Sequence, residues 1–252
     1  MGKNAIISVF DKTNLDLIAN FLIKKKYTIY STGGTSQYLK DINIPHIEIS
    51  KYTKQKEILD GRVKTLHPKI FGGLLGTNSR NHLKEQKRQG IVIFDILVIN
   101  LYPFEETVKK TRDESKIIEM IDIGGHSLIR AAVKNYNQTI PITNPSDYKN
   151  FIKAFPLKQT QRKIFAKKAI QQVANYDKAI FNWFDGNTKD EYELRYGENP
   201  HQNARALVNN DKFSQLSGDK KLSYNNLLDL DAAVKIAYGV NTKNNICAIV
   251  KH

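Results

Sequence analysis

The sequence predicts an α/β fold built on a mostly parallel, doubly wound sheet. Short Ile/Val/Tyr-rich runs alternate with segments of helical periodicity from the N-terminus to about residue 184. The run Phe94-Asp-Ile-Leu-Val-Ile-Asn100-Leu is apolar on both faces, as a strand in the interior of a parallel sheet must be. Polar or glycine-rich turns follow one strand after another, which puts them along the carboxyl rim where such sheets bind ligands.

The expected strands are Ala5–Phe10, Tyr27–Ser31, His46–Ser50, Ile93–Leu101 and Thr139–Thr143. Leu15, Ile18, Ala19 and Leu22 recur at helical spacing, with Asp11 to Asn14 as N-cap candidates. Ser115–Ile121, Ser127–Tyr136 and a longer stretch from Gln159 to Phe184 repeat that pattern. Strands separated by helices imply right-handed crossovers. A last apolar run, Ile246-Cys-Ala-Ile-Val250, reads as a buried strand with Cys247 as a small core residue, and Lys251-His252 follow it. A domain seldom stops one residue beyond a core strand, so the reading is one whole domain over residues 1–190 and the opening of a second over 191–252.

Composition narrows the function classes. No run approaches the roughly 18 apolar residues of a membrane span, and the N-terminus lacks a signal-peptide layout. One cysteine forms no disulfide framework. These features fit a cytoplasmic protein with no membrane partner. The net charge of +14 raises the question of nucleic acid, but only 8 of the 39 basic residues are Arg, and they form no continuous arm. The basic excess favours anionic, phosphorylated small molecules instead.

Five segments carry the candidate chemistry. Phe10-Asp-Lys-Thr13 follows the first strand, and Ser31-Thr-Gly-Gly-Thr35 follows the second. The latter exposes backbone N–H groups at a helix start, an anion site. Gly61-Arg-Val-Lys-Thr-Leu-His-Pro68 places Arg62, Lys64 and Thr65 as donors to a phosphate or an amide oxygen. Asn100-Leu-Tyr-Pro-Phe104 follows the central strand, and Ile121-Asp-Ile-Gly-Gly125 precedes a helix. A single Gly-Gly turn is only a turn. Several such turns on one rim are a site.

These segments, together with Ala131-Ala-Val-Lys-Asn135, resemble the bifunctional purine-biosynthesis family that joins IMP cyclohydrolase to AICAR transformylase. Arg195-Tyr-Gly-Glu-Asn-Pro-His-Gln202 resembles the start of the transformylase half, and Ala248-Ile-Val-Lys-His252 its catalytic strand. The resemblance covers the whole chain in order. It implies a methylglyoxal-synthase-like domain that closes the formylated aminoimidazole carboxamide ribotide to IMP with loss of water, using no cofactor and no metal. It points to Lys134 as the proton-handling lysine, with Asp122, Tyr102 and Lys64 beside it. Backbone N–H groups near Gly124 and Gly125 would meet the developing negative charge. Asp11, Lys12 and Thr32, Gly33, Gly34 and Thr35 would hold the ribotide phosphate. Phe10, Arg62, Val63, Thr65, Asn100, Leu101 and Ile123 complete the expected substrate contacts. Phe10 departs from the family's usual Ser and loses a hydroxyl donor, whereas Asn14 replaces a common Gly, where an N-cap role suffices.

For the second half the resemblance implies a cytidine-deaminase-like fold that takes 10-formyltetrahydrofolate as co-substrate. Arg195 and Tyr196 match its nucleotide-binding residues, and His252 its general base with Lys251 alongside. Because only 62 residues (252 − 190) represent that half, transformylase activity is not expected of this chain alone. The family is homodimeric. Other signals carry little: His46-Ile-Glu48 mimics a zinc-deaminase motif without the two cysteines it needs, and His67-Pro68 reads as loop geometry. A nucleotide- or phosphosugar-binding module without turnover remains the alternative.

Overall fold

The structure, a computed structural model, describes residues 3–186, 189–209, 220–240 and 245–251. The chain divides into two compact units, Met1–Ile180 and Phe181–His252.

The first unit follows the alternating pattern. In order it contains β1 (Asn4–Ser8), α1 (Leu15–Lys24), β2 (Thr28–Ser31), α2 (Gly33–Asp41), β3 (Ile47–Glu48) and α3 (Ile49–Thr53). Next come α4 (Pro68–Leu75), α5 (Arg80–Gln89), β4 (Ile96–Ile99), α6 (Phe104–Lys110), α7 (Glu114–Ile118) and α8 (Gly124–Lys134). β5 (Ile140–Ile142), α9 (Tyr148–Ala154) and all but the last turn of α10 (Gln159–Phe184) close the series. The five strands form one sheet in the order β3-β2-β1-β4-β5, and every pairing is parallel. The order runs outward from β1 in both directions, so a crevice opens where β1 and β4 part company.

Burial on both faces explains the apolar strands. Ala5, Ile7, Ile29, Ile96, Val98, Ile140 and Ile142 enter one core with Leu15, Ile18, Ala19 and Leu22 of α1 and Tyr148 and Phe151 of α9. Each Leu or Ile so buried contributes about 1.5–3 kcal/mol. Ile6, Tyr30 and Leu97, aligned across β1, β2 and β4, point to the opposite face. There Tyr30 meets Tyr52 and Phe94 edge-on, each at 5.2 Å. Asn135, just past α8, donates to the carbonyls of Leu74 (2.7 Å) and Gly76 (2.9 Å), which ties that end of α8 to the end of α4.

Three local expectations change. His46–Ser50 forms only a two-residue strand, because Ile49 already begins α3 at the sheet edge. Asn14 does not cap α1 with its side chain; it sits at φ 55°, in the left-handed region, which explains a position where Gly is otherwise at home. The run Ile246–Val250 is not a buried strand: residues 245–251 have no regular structure, Ile249 is 91% exposed and Cys247 is exposed. A strand satisfies its backbone only beside another strand, and among the described residues none pairs with this one.

The second unit contains β6 (Lys189–Glu193) and β7 (Arg205–Asn209), an antiparallel pair, and α11 (Tyr224–Gly239). Ser223 and Asn226 form a reciprocal capping box at the start of α11.

Candidate functional site

A cavity of about 730 Å³ lies at the crevice, beyond the carboxyl ends of β1, β2 and β4. Four of its walls follow directly from the topology. Ser8, Val9, Phe10 and Lys12 leave β1; Thr32, Gly34 and Thr35 open α2; Ile99, Asn100 and Tyr102 leave β4; and Asp122, Ile123, Gly124 and Gly125 lead into α8. The fifth wall is the long loop with Arg62, Lys64 and Thr65. The segments separated in sequence therefore share one pocket.

Side-chain bonds fix the loop after β1. Asn100 Oδ1 accepts from the backbone N–H of Phe10 (2.6 Å) and of Asp11 (3.0 Å), while its Nδ2 donates to the Asp11 carbonyl (2.9 Å). Asn100 is thereby largely occupied as a clamp. Thr35 Oγ1 donates to the Val9 carbonyl and accepts from the Val9 N–H, both at 2.9 Å. The Gly33 and Gly34 N–H groups at the start of α2 lack intrahelical acceptors by geometry, and Gly34 and Lys12 line the same cavity. That combination suits a phosphate.

Lys64, Tyr102 and Asp122 line the same cavity. Lys64 Nζ donates to Tyr102 Oη at 3.3 Å, and the Phe10 ring meets Tyr102 edge-on at 5.7 Å. Burial pushes the Asp122 carboxyl above its ordinary range, opposed by the Gly125 and Tyr102 backbone and by the positive charge of Lys64. Asp122 Oδ1 accepts from the Gly125 N–H at 2.6 Å. That amide is taken up, so of the two expected oxyanion donors Gly125 is already committed to Asp122. At both glycines a side chain would crowd a neighbouring group of the site. A Cβ at 125 would lie 2.6 Å from Asp122 Oδ2, and one at 124 would lie 2.9 Å from Thr65 Oγ1.

Several expected residues stand elsewhere. Lys134 is exposed at the last turn of α8. At 1.5 Å per residue this is about 15 Å along the axis from Gly124, and Lys134 is not part of the cavity wall. Asp11 is exposed, and the Thr13 side chain together with the Thr13 N–H at 2.9 Å lowers its carboxyl below the usual range. Gly33 lines a smaller neighbouring cavity of about 220 Å³. Val63 pairs its backbone with Ile58, and Leu101 turns into the core. In the second unit Arg195 lies over the Tyr196 ring at 5.4 Å and donates to Asn226 Oδ1 at 3.3 Å. Lys251 is exposed, and His252 lies outside the described residues.

Sequence reasoning missed the segment Ile118, Glu119 and Met120, which lines the same cavity. Glu119 forms an ion pair with Arg62 at its margin. It also missed Tyr176, whose hydroxyl accepts from the Asp122 N–H at 2.9 Å. The expected reading of His67 as loop geometry agrees with its place at the start of α4, where Nδ1 accepts from Lys69 N–H at 3.1 Å. Among the described residues no cluster of His, Cys, Asp or Glu is suited to a metal, and no helix is long and apolar enough to cross a membrane.

Comparison with known proteins places these features. Residues 14–127 match the family described as MGS-like domain, and residues 132–252 match the AICARFT/IMPCHase bienzyme family. The bifunctional purine biosynthesis protein PurH of Prochlorococcus marinus (strain MIT 9515) is 40% identical over 280 residues, covering 100% of this chain and 54% of the relative. The chain belongs to the bifunctional purine biosynthesis protein family. PurH of Natranaerobius thermophilus is 43% identical over 259 residues, covering 94% of this chain and 50% of the relative. The chain thus spans about half the length of the curated relatives it matches. The crystal structure of ForH superposes with a TM-score of 0.66 at 27% identity, covering 73% of this chain and 100% of that one. The family match and the parallel five-stranded sheet agree on the methylglyoxal-synthase-like fold expected for the first unit.

Proposed function

We propose that the first unit is an IMP cyclohydrolase: it closes 5-formamidoimidazole-4-carboxamide ribotide to IMP and releases water. The observation that carries this reading is the convergence of a phosphate-binding turn with Lys64, Tyr102 and Asp122 around one cavity. The ribotide phosphate sits against the start of α2 and Lys12, and the imidazole reaches across to Tyr102.

The chemistry follows from that placement. The carboxamide nitrogen attacks the formyl carbon, a proton leaves nitrogen, and negative charge builds on the formyl oxygen. Asp122, with its carboxyl raised by burial, is the better matched base for that proton. Lys64 and Tyr102, hydrogen-bonded to each other, meet the developing oxyanion and protonate it. Loss of the resulting hydroxyl with the second nitrogen proton gives the C=N bond and water. No cofactor enters these steps. Lys134 is left out because of its place on α8. The aromatic edge of Phe10 replaces a hydroxyl contact at the cavity mouth, and its backbone N–H is held by Asn100.

The family's transformylase half uses 10-formyltetrahydrofolate, and that activity is not proposed for this chain alone. A cytoplasmic setting, a nucleotide as the partner and the family's homodimer belong to the same reading. The test follows ring closure spectroscopically with the purified chain and with Lys64→Ala. Turnover by the parent and a loss of at least about 100-fold in the variant support it; IMP binding without turnover favours a binding module instead.

A further inference from the structure

Asp122 lies on a short connection between α7 and α8, and a loop carboxylate works as a base only if its position is fixed. Two constraints act on it. Its carboxylate is held by the Gly125 N–H. Its backbone is held by Tyr176, a residue of α10 that is 54 positions away in sequence. The Tyr176 hydroxyl accepts from the Asp122 N–H at 2.9 Å and donates to the Met120 carbonyl at 2.5 Å, so one oxygen bridges both sides of the connection. The ring is 8% exposed and meets Phe104, the first residue of α6, edge-on at 6.1 Å. Burial pushes the Tyr176 hydroxyl up to about 12, so it keeps its proton and can act as donor and acceptor together.

We propose that Tyr176 is a positioning residue for ring closure, acting through Asp122 by clamping the Met120–Asp122 connection. This rests on the cyclohydrolase reading but adds a residue that touches neither substrate nor the reacting atoms. The groups that face the Asp122 carboxylate are the Tyr102 backbone after β4, Lys64 from the long loop, and Gly125 and His126 from α8. His126 in turn bonds Asp177, the neighbour of Tyr176 on α10, at 2.8 Å. α10 thus reaches the Asp122 connection through Tyr176 and the first turn of α8 through Asp177, but only Tyr176 bonds the Asp122 backbone. Replacing the hydroxyl by hydrogen preserves the ring packing and leaves the Asp122 amide without its acceptor.

The experiment is a double-mutant cycle of Tyr176→Phe and Asp122→Asn in the full chain, with kcat and KM for ring closure and the amide exchange rate of residue 122 as readouts. Tyr176→Phe is expected to slow turnover by about one to two orders of magnitude while KM changes less than about threefold. In the Asp122→Asn background the same substitution alters turnover less than about twofold, because the base it positions is already gone. Amide exchange at residue 122 speeds by at least about tenfold. Phe104→Leu, which disturbs the packing but not the hydroxyl, lowers stability and shows no such dependence on Asp122. Equal losses for Tyr176→Phe in both backgrounds, or unchanged turnover, overturn the proposal. A parent chain without turnover counts against the cyclohydrolase reading; unchanged amide exchange then overturns the clamp by itself.

Discussion

Gly125 donates its N–H to Asp122 Oδ1 at 2.6 Å, and a side chain at position 125 would displace that carboxylate. The two residues are three apart in sequence, so a helix start and a carboxylate are fitted together as one unit. This is why the Gly-Gly turn belongs to the site rather than to ordinary loop geometry.

The first prediction follows from that fit. In Gly125→Ala the new methyl would stand 2.6–3.0 Å from three atoms of the Asp122 carboxyl group, so the carboxylate must swing away. Ring closure should fall at least about 100-fold, since a misplacement near 1 Å has that effect on positioned groups. Thermal unfolding should show a loss of only about 1–3 kcal/mol, the usual cost of overpacking. An active variant with parent-like turnover would show that Asp122 does not need this geometry.

Asn100→Ala tests the loop after β1. Three hydrogen bonds between Asn100 and the Phe10–Asp11 backbone disappear together. At about 1 kcal/mol net for each, urea denaturation should register a loss of roughly 2–3 kcal/mol. Affinity for IMP should fall with it, because Lys12 and the loop after β1 lose their fixed placement. A variant that loses stability and still binds IMP as the parent does would separate this loop from the phosphate site.

Asp122 also gives a pH prediction with a definite sign. Burial raises its carboxyl in the folded chain, so the folded state binds the proton more tightly than the unfolded state does. Stability from this group is therefore full below about pH 4, the unfolded carboxyl range, and is lost as pH rises through the folded value. Asp122→Asn removes the titration and keeps an acceptor for the Gly125 N–H. The variant should unfold at higher temperature than the parent at neutral pH, and the difference should shrink on acidification toward the unfolded carboxyl range, while turnover collapses. A gap that widens on acidification would reverse the assignment.

The sheet was legible because its strands are apolar on both faces: Ala5–Ile7 and Ile96–Ile99 have no polar side to present to water. The three turns after β1, β2 and β4 were legible for the complementary reason, since polar and glycine residues right after buried strands mark the rim where such sheets bind ligands. Tyr176 was not legible. On α10 it shares the spacing of Phe165, Ala169 and Val173, all buried, and nothing local separates a tyrosine that fills the core from one that also binds a distant backbone. Ile246–Val250 shows the opposite error: apolar β-branched residues describe a strand only where another strand lies alongside. Lys134 stands outside the cavity wall for a different reason: a motif records sequence neighbours, while a helix carries its last residue far from its first.

The most direct test of the central claim is a crystal structure of this chain with IMP bound. The phosphate should lie between the start of α2 and Lys12, with the purine ring between Tyr102 and the Asp122–Gly125 turn and Lys64 within hydrogen-bonding reach of its pyrimidine portion. Density for IMP at any other place, with the crevice beyond β1 and β4 left open, would contradict the account.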